Sequence, residues 1–386
     1  MPAAADGSRP ATTSITREVN AIDILAASEA IAKAQPRVAS LLEDVARSEH
    51  PPQSILLAGP EGSGKELMAV RLAAMLNCEN GAGEVCGDDR CPACAKVRNL
   101  EYPDLHLVYP VPAAAWERDL PVVIESRRGD FFASGEFHGR ARSIGIDLVR
   151  LVIEALAKHP FEGRRSVVVL FEAHLATTEA QNALLRILEE PPPSATIMLV
   201  TEFPDRLLPT ILSRCYEIRF EGLSDEAVAD FLVRFYSVEP SEARRLAVLA
   251  QGNLRRGIHL IDERFVTLGK DAATLVRLVL GGTAKELIGE AEGLAGTYGR
   301  EDVGDLLEEA SIIFSLLIRS REGRLTQAQD DFLRQALGAD RIAAAAQRDL
   351  PGDMRKISRS IANLRRNADV ELTLSQLLLD LAGEWC

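Results

Sequence analysis

The residues with the most chemical content are Gly59-Pro60-Glu61-Gly62-Ser63-Gly64-Lys65-Glu66. The Gly-x-x-x-x-Gly-Lys spacing is that of a loop whose backbone N–H groups wrap phosphates, with Lys65 placed for the β- and γ-phosphates. The next position usually carries a Ser or Thr hydroxyl that holds Mg²⁺. Here it is Glu66, a carboxylate that adds negative charge beside negative phosphates. A second cluster is Cys78, Cys86, Cys91 and Cys94, all within one short segment, while Cys215 and Cys386 stand alone. Cys91-Pro92-Ala93-Cys94 can grip one metal from a single turn, and the other two thiolates complete a tetrahedron. Gly81, Gly83 and Gly87 allow the bends this needs. A closed four-thiolate set has no open position for substrate, so the expected role is structural zinc, with free or redox-active thiols as the alternative.

The third chemical segment is Val167-Val168-Val169-Leu170-Phe171-Glu172-Ala173-His174. In phosphate-loop ATPases such a strand ends in an Asp that supports Mg²⁺, often followed by a Glu that positions water. The Asp position is Phe171, which coordinates nothing. Glu172 remains, but a base without a placed metal has little to act on, and a carboxylate paired with a neighbouring cation is the preferred reading. Two Mg²⁺-handling positions are lost together, so hydrolysis here is expected to be absent or very slow.

Short apolar runs must position these residues. Strands are expected at Ser54–Leu57, Leu105–Tyr109, Ser166–Phe171, Thr196–Thr201 and Tyr216–Arg219, with helical patterns between most of them. That alternation implies a parallel sheet covered on both faces. A helix is expected over Leu67–Leu76, and another over Glu179–Glu190, capped by Thr178 and stopped by Pro191-Pro192-Pro193. Between Pro110 and Ile144 the pattern weakens. This excursion reads as a partly mobile loop whose Arg127, Arg128, Arg140 and Arg142 could touch nucleic acid, with a solvated loop as the default. After Gly222 the strand signal gives way to helical periodicity. Ser224 caps a helix through Tyr236 and Ser241 one through Ala250, and longer runs follow at Leu306–Arg319, Asp330–Leu337, Asp340–Gln347 and around Val370–Leu381.

The chain has 386 residues, a net charge of −13 and 47% hydrophobic residues. That length supports two or three domains. No apolar run approaches the ~18–20 residues of a membrane span, and Met1–Arg17 lacks an apolar signal core. A cytoplasmic protein is expected, and the acidity argues against strong DNA binding by this chain alone.

The loop, the cysteine cluster, Tyr102-Pro103-Asp104-Leu105-His106, the Gln181–Pro192 segment (QNALLRILEEPP) and Ser213-Arg214-Cys215 together resemble the bacterial replicative clamp-loader family. Within it the match is best to the delta-prime subunits of DNA polymerase III, which depart from the motor subunits at the same two positions. The resemblance runs from about Leu41 to Ile261, and Asn367–Leu381 is similar to the family's final collar helix. It implies an α/β AAA+ core with a five-stranded parallel sheet over 21–222, including a zinc knuckle at 78–94. A helical lid at 223–264, an all-α collar at 265–386 and a flexible tail at 1–20 complete the expected layout.

By the resemblance, Arg214 is an arginine finger acting in trans on an adjacent motor subunit. The bland alternative is that Arg214 caps a helix end or pairs with an acidic neighbour. Gly59, Gly62, Gly64 and Lys65, with Thr201 and Arg255 at the two sensor positions, form a degenerate nucleotide site where ATP or ADP binding is weak or absent. The implied partners are the motor and delta-type subunits, and through the complex the sliding clamp and primer–template DNA. The cysteine gaps of seven and four residues depart from the family's longer first gap and tighter later pairs. The competing class is an active AAA+ ATPase, either a motor subunit or another nucleic-acid-remodelling enzyme. A P-loop kinase is remote, because nothing resembles an acceptor-substrate lid.

Overall fold

The computed structural model describes residues 22–382, apart from 82, 84, 87–90, 133–140 and 367. The elements run α1 (Ile24–Ala34), α2 (Pro36–Arg47), β1 (Ser54–Ala58), α3 (Lys65–Asn77), α4 (Pro92–Arg98), β2 (Leu105–Val108), α5 (Trp116–Gly129) and α6 (Ile146–Leu156). Then follow β3 (Ser166–Leu170), α7 (Thr178–Glu189), β4 (Ala195–Thr201), α8 (Pro209–Leu212) and β5 (Tyr216–Arg219). The remainder is helical among the described residues: α9 (Asp225–Tyr236), α10 (Pro240–Ala250), α11 (Leu254–His259), α12 (Glu263–Val279), α13 (Ala284–Thr297) and α14 (Arg300–Arg321). It ends with α15 (Gln327–Leu337), α16 (Ala339–Ala345), α17 (Leu350–Arg365) and α18 (Val370–Ala382).

The strands form one parallel sheet in the order β2-β3-β4-β1-β5. Strands β1, β3 and β4 are buried along their whole length, and all three are apolar runs. An interior parallel strand has helices over both faces and no side to give to water. Edge strand β5 buries Ile218 and exposes its other three residues. Helix α3 is almost wholly buried, which puts the phosphate loop at its N-terminus in the middle of the sheet, between β4 and β5. This is an AAA+ P-loop core, with each strand within one residue of its expected bounds.

Local chemistry corrects several boundaries. Helix α7 is capped by Thr177, not Thr178: the Thr177 hydroxyl accepts from Ala180 N. Helix α10 is capped by Glu239, whose carboxylate accepts from Ser241 N and Glu242 N, so Ser241 lies inside the helix rather than at its cap. Ser224 caps α9 as its position implies. The Pro110–Ile144 excursion is not simply a loop. It holds α5, carries an antiparallel bridge between Val111 and Ser143, and buries Leu120, Val123, Phe131 and Phe132. The tail at 1–20 lies outside the described residues.

Helices α9 and α10 pack as a pair against α11, and α10 touches α15. Among the later helices α14 lies against α12 and α17, and α18 against α13 and α17.

Candidate functional site

The phosphate loop leaves β1 and turns into α3 through two glycines with positive φ, Gly62 at 65° and Gly64 at 85°. A side chain is strained at both, and the space is also taken. A Cβ on Gly62 would lie 2.0 Å from Asn253 Oδ1, and one on Gly64 would lie 2.4 Å from Ile31 Cγ2. The loop is braced from outside as well. Gln35, at the junction of α1 and α2, donates to Ser63 O at 2.7 Å and Glu221 O at 3.0 Å. Leu254 N donates to Gly62 O at 3.0 Å, tying α11 to the loop. Gln35 carries no motif, and no local signal in the sequence marks it.

Lys65 does not reach into open space. It is buried, donates to Pro60 O at 2.9 Å and lies 3.8 Å from Glu202. Burial pushes its pKa down, with Glu202 pulling the other way.

Glu66 is the decisive residue. It sits in the first turn of α3, where unpaired N–H groups and the helix dipole favour an anion. Both carboxylate oxygens accept from Arg255 Nη2, at 2.9 and 3.0 Å, and Arg127 Nη1 adds a contact at 3.3 Å. Burial alone would raise the pKa of Glu66, but the charges of Arg255, Arg127 and Lys65 outweigh it and hold the carboxyl below its ordinary range. The space left among Gly62, Gly64, Lys65, Glu66, Phe132 and Arg255 is about 10 Å³, at the threshold for admitting a single water.

Phe171 is linked to this cluster. It stacks on Tyr109 with ring centroids 4.4 Å apart and planes 8° from parallel. The Arg127 guanidinium lies 5.0 Å from the centroid of the same Tyr109 ring. Phe171, Tyr109, Arg127, Glu66 and Arg255 therefore form one continuous chain of contacts. The two positions that depart from magnesium chemistry belong to a single packed unit. Glu172, at φ 48°, forms a two-pronged pair with Arg142, both distances 3.2 Å.

Buried Arg127 thus serves as an internal counter-ion for Glu66, which corrects the solvated-loop reading at that residue, whereas Arg142 stays exposed while it pairs with Glu172. Arg128 donates to Glu125 and to Leu100 O. Arg140 lies outside the described residues.

Thr201, expected at the first sensor position, is buried, and its hydroxyl meets His174 Nδ1 at 3.1 Å and accepts from Phe203 N at 3.1 Å. Arg255, expected at the second, is spent on Glu66. Arg214 follows α8 with about a third of its side chain exposed. It donates to Thr210 O at 2.8 Å and to Glu189 Oε1 at 2.8 Å. Those are the capping and pairing contacts of the bland alternative, made on the surface and through hydrogen bonds that exchange with water.

The four cysteine sulfurs of Cys78, Cys86, Cys91 and Cys94 lie within 4.8 Å of one another. Zinc–sulfur bonds of about 2.3 Å in a tetrahedron place sulfurs about 3.8 Å apart, so the set fits zinc. Cys78 and Cys86, at 3.1 Å, would move apart slightly. Cys91 precedes α4 and Cys94 lies within it, so a metal here would fix that helix. The Tyr102–His106 segment is structural too. Asp104, 4% exposed, accepts backbone N–H groups from Phe161, Glu162 and Gly163 at 2.6–2.8 Å.

Residues 34–224 match the family described as "DNA polymerase III, delta subunit". This segment, just under half of the chain, is similar to the AAA+ clamp-loader family. It is 30% identical over 213 residues to the DNA polymerase III subunit delta′ of Bacillus subtilis, covering 55% of each chain. It is 25% identical over 281 residues to the tau subunit of the same organism, covering 71% of this chain and 44% of that one. Among solved structures, a gamma subunit-related protein from Thermotoga maritima aligns over 90% of this chain at 17% identity and TM-score 0.40. The chain spans about half the length of these curated relatives.

Proposed function

We propose that this chain is a non-hydrolysing, delta-prime-like subunit of the DNA polymerase III clamp loader. It would organise the ring and supply Arg214 in trans to a neighbouring motor subunit, supporting placement of the sliding clamp on primed DNA. The observation that carries this reading is the Glu66 carboxylate held by Arg255 and Arg127 at the N-terminus of α3. A side-chain anion takes the place a phosphate would occupy, and the second sensor arginine is committed to it. Phe171 in its stack and Glu172 on Arg142 support the same conclusion, because neither can handle Mg²⁺ or water as placed.

Arg214 is suited to act outward. Its contacts are exposed and weak, so turning it toward a neighbour's γ-phosphate exchanges a surface ion pair of about 0–1 kcal/mol for a charge-assisted contact to a transferring phosphoryl group. The zinc site is structural in this reading, and a cytoplasmic location follows from the replication role. No helix among the described residues is long and apolar enough to cross a membrane.

The test is ATP turnover by the purified chain alone, and mixed with its organism's motor subunits, clamp and primed DNA, with Arg214→Ala in parallel. The chain alone should be inert. The substitution should cut turnover at the adjacent site by about 10³-fold, the scale of an arginine finger. Robust turnover by the chain alone would favour a motor with unorthodox magnesium ligands.

A further inference from the structure

The excursion between β2 and α6 reaches the phosphate loop through the two residues that follow the end of α5. Phe131 and Phe132 are 1% and 9% exposed. Their rings meet edge to face with centroids 5.6 Å apart, and Phe132 meets Phe231 of α9 edge to face at 6.1 Å. Phe132 also borders the small space beside Gly62, Gly64, Lys65, Glu66 and Arg255. One ring is therefore wedged between the phosphate loop and α9. The backbone here is held by the same two arginines that hold Glu66. Arg127 Nη1 donates to Phe131 O as well as to Glu66. Arg255 Nη1 donates to Phe132 O at 3.3 Å while its Nη2 holds Glu66. Asp130 Oδ1 accepts from Phe132 N at 2.9 Å and fixes the turn out of α5.

We propose that Asp130-Phe131-Phe132 is an internal ligand of the phosphate site, a strap that bridges the loop to α9 and α11 in place of a nucleotide and competes with one. The inference rests on reading Gly59–Glu66 as a disabled phosphate site, and it adds a second barrier to the one Glu66 provides. A nucleotide whose phosphates displaced Glu66 would still meet the Phe132 ring beside them. Two carbonyls from the excursion and one carboxylate from α3 share two guanidinium groups, one from α5 and one from α11. That sharing satisfies buried cations that would be costly without partners. Ordinary core packing would account for the two rings but not for two backbone carbonyls aimed at the arginines of the loop. Because the strap belongs to the same chain, its local concentration is set by the fold, and free nucleotide must outcompete it. The contacts also tie α11 to the excursion, beside the direct bond from Leu254 N to Gly62 O.

The full-length chain, Phe132→Ala, Glu66→Thr and the double variant would be compared by amide hydrogen exchange and by ADP titration. Losing two edge-to-face ring contacts in Phe132→Ala should speed exchange in α11 and in residues 59–66 by about ten- to a hundred-fold, with α13 and α18 unchanged. The double variant should bind ADP about ten- to a hundred-fold more tightly than Glu66→Thr. Unchanged exchange in α11 and 59–66, or equal ADP affinity in the double variant and Glu66→Thr, would overturn the strap. Where Phe132→Ala fails to fold, Phe132→Leu keeps most of the apolar volume, removes both ring contacts and should move the same readouts by less. The exchange readout uses this chain alone, so it decides the strap whatever the mixed complex does. Turnover in the mixture that ignored Arg214, with the exchange changes present, would remove the subunit reading and leave the strap standing.

Discussion

Replacing Glu66 with threonine should open the phosphate site and make it bind nucleotide. The substitution restores the residue type that Mg-nucleotide sites use and removes the carboxylate that Arg255 and Arg127 now hold. Breaking a buried ion pair from one side costs about 3–5 kcal/mol. The side chains of Glu66 and Arg255 are 18% and 21% exposed, so partial hydration brings this to about 2–3 kcal/mol. At about 2–4 °C per kcal/mol for a unit of this size, the melting temperature should fall by about 5–10 °C. The vacated site would then be lined by Lys65, Arg127 and Arg255, with only the more distant Glu202, 3.8 Å from Lys65, and Glu61, 3.9 Å from Arg255, left as anions. ADP should fill it, and at a hundred times its dissociation constant it returns about 2.7 kcal/mol. Thermal melts of wild type and Glu66→Thr with and without ADP check this. Wild type should not shift, and the variant should recover most of its loss. A wild-type shift as large as the variant's, or a variant with no ADP response, would refute the idea that Glu66 occupies the phosphate position.

The same carboxylate sets a pH dependence. Its folded pKa is lowered, so its contribution is present above the ordinary carboxylate range and disappears as pH falls through the lower folded value. The stability difference between wild type and Glu66→Gln should therefore shrink below about pH 4. A difference independent of pH would show that the charge contributes nothing. The cysteine cluster should retain one zinc per chain by elemental analysis, and chelation should lower the melting temperature by loosening α4. Metal-free protein that melts at the same temperature with or without chelator would rule the zinc out.

The strands were legible because a parallel strand covered on both faces is a short apolar run, as at Ser166–Leu170 and Ala195–Thr201. The two departures at Glu66 and Phe171 were legible by position, as were the four cysteines. What joins them was not. Arg127 reads as a solvated charge because its partner Glu66 lies 61 positions away, and only the fold brings α5 against α3. Helix α5 was hidden because Pro121 sits inside it and acidic and basic residues crowd its faces, weakening the apolar period that marks a helix. Thr201 and Arg255 stand where the resemblance puts its two sensor positions. Their hydrogen bonds to His174 and Glu66 depend on side chains from other elements, which no local pattern reports.

The central claim is that Arg214 works on a neighbour rather than for its own fold, and its pairing with Glu189 provides the most direct test. Turnover by the reconstituted clamp loader would be compared for Arg214→Ala and Glu189→Ala, with the melting temperature of each variant. Both changes break the same 2.8 Å pair, but only one removes the guanidinium. The account predicts that Glu189→Ala keeps or raises turnover while Arg214→Ala loses it, with both melting near wild type. Equal losses of turnover from the two substitutions, accompanied by equal losses of stability, would make the pair structural and contradict the account.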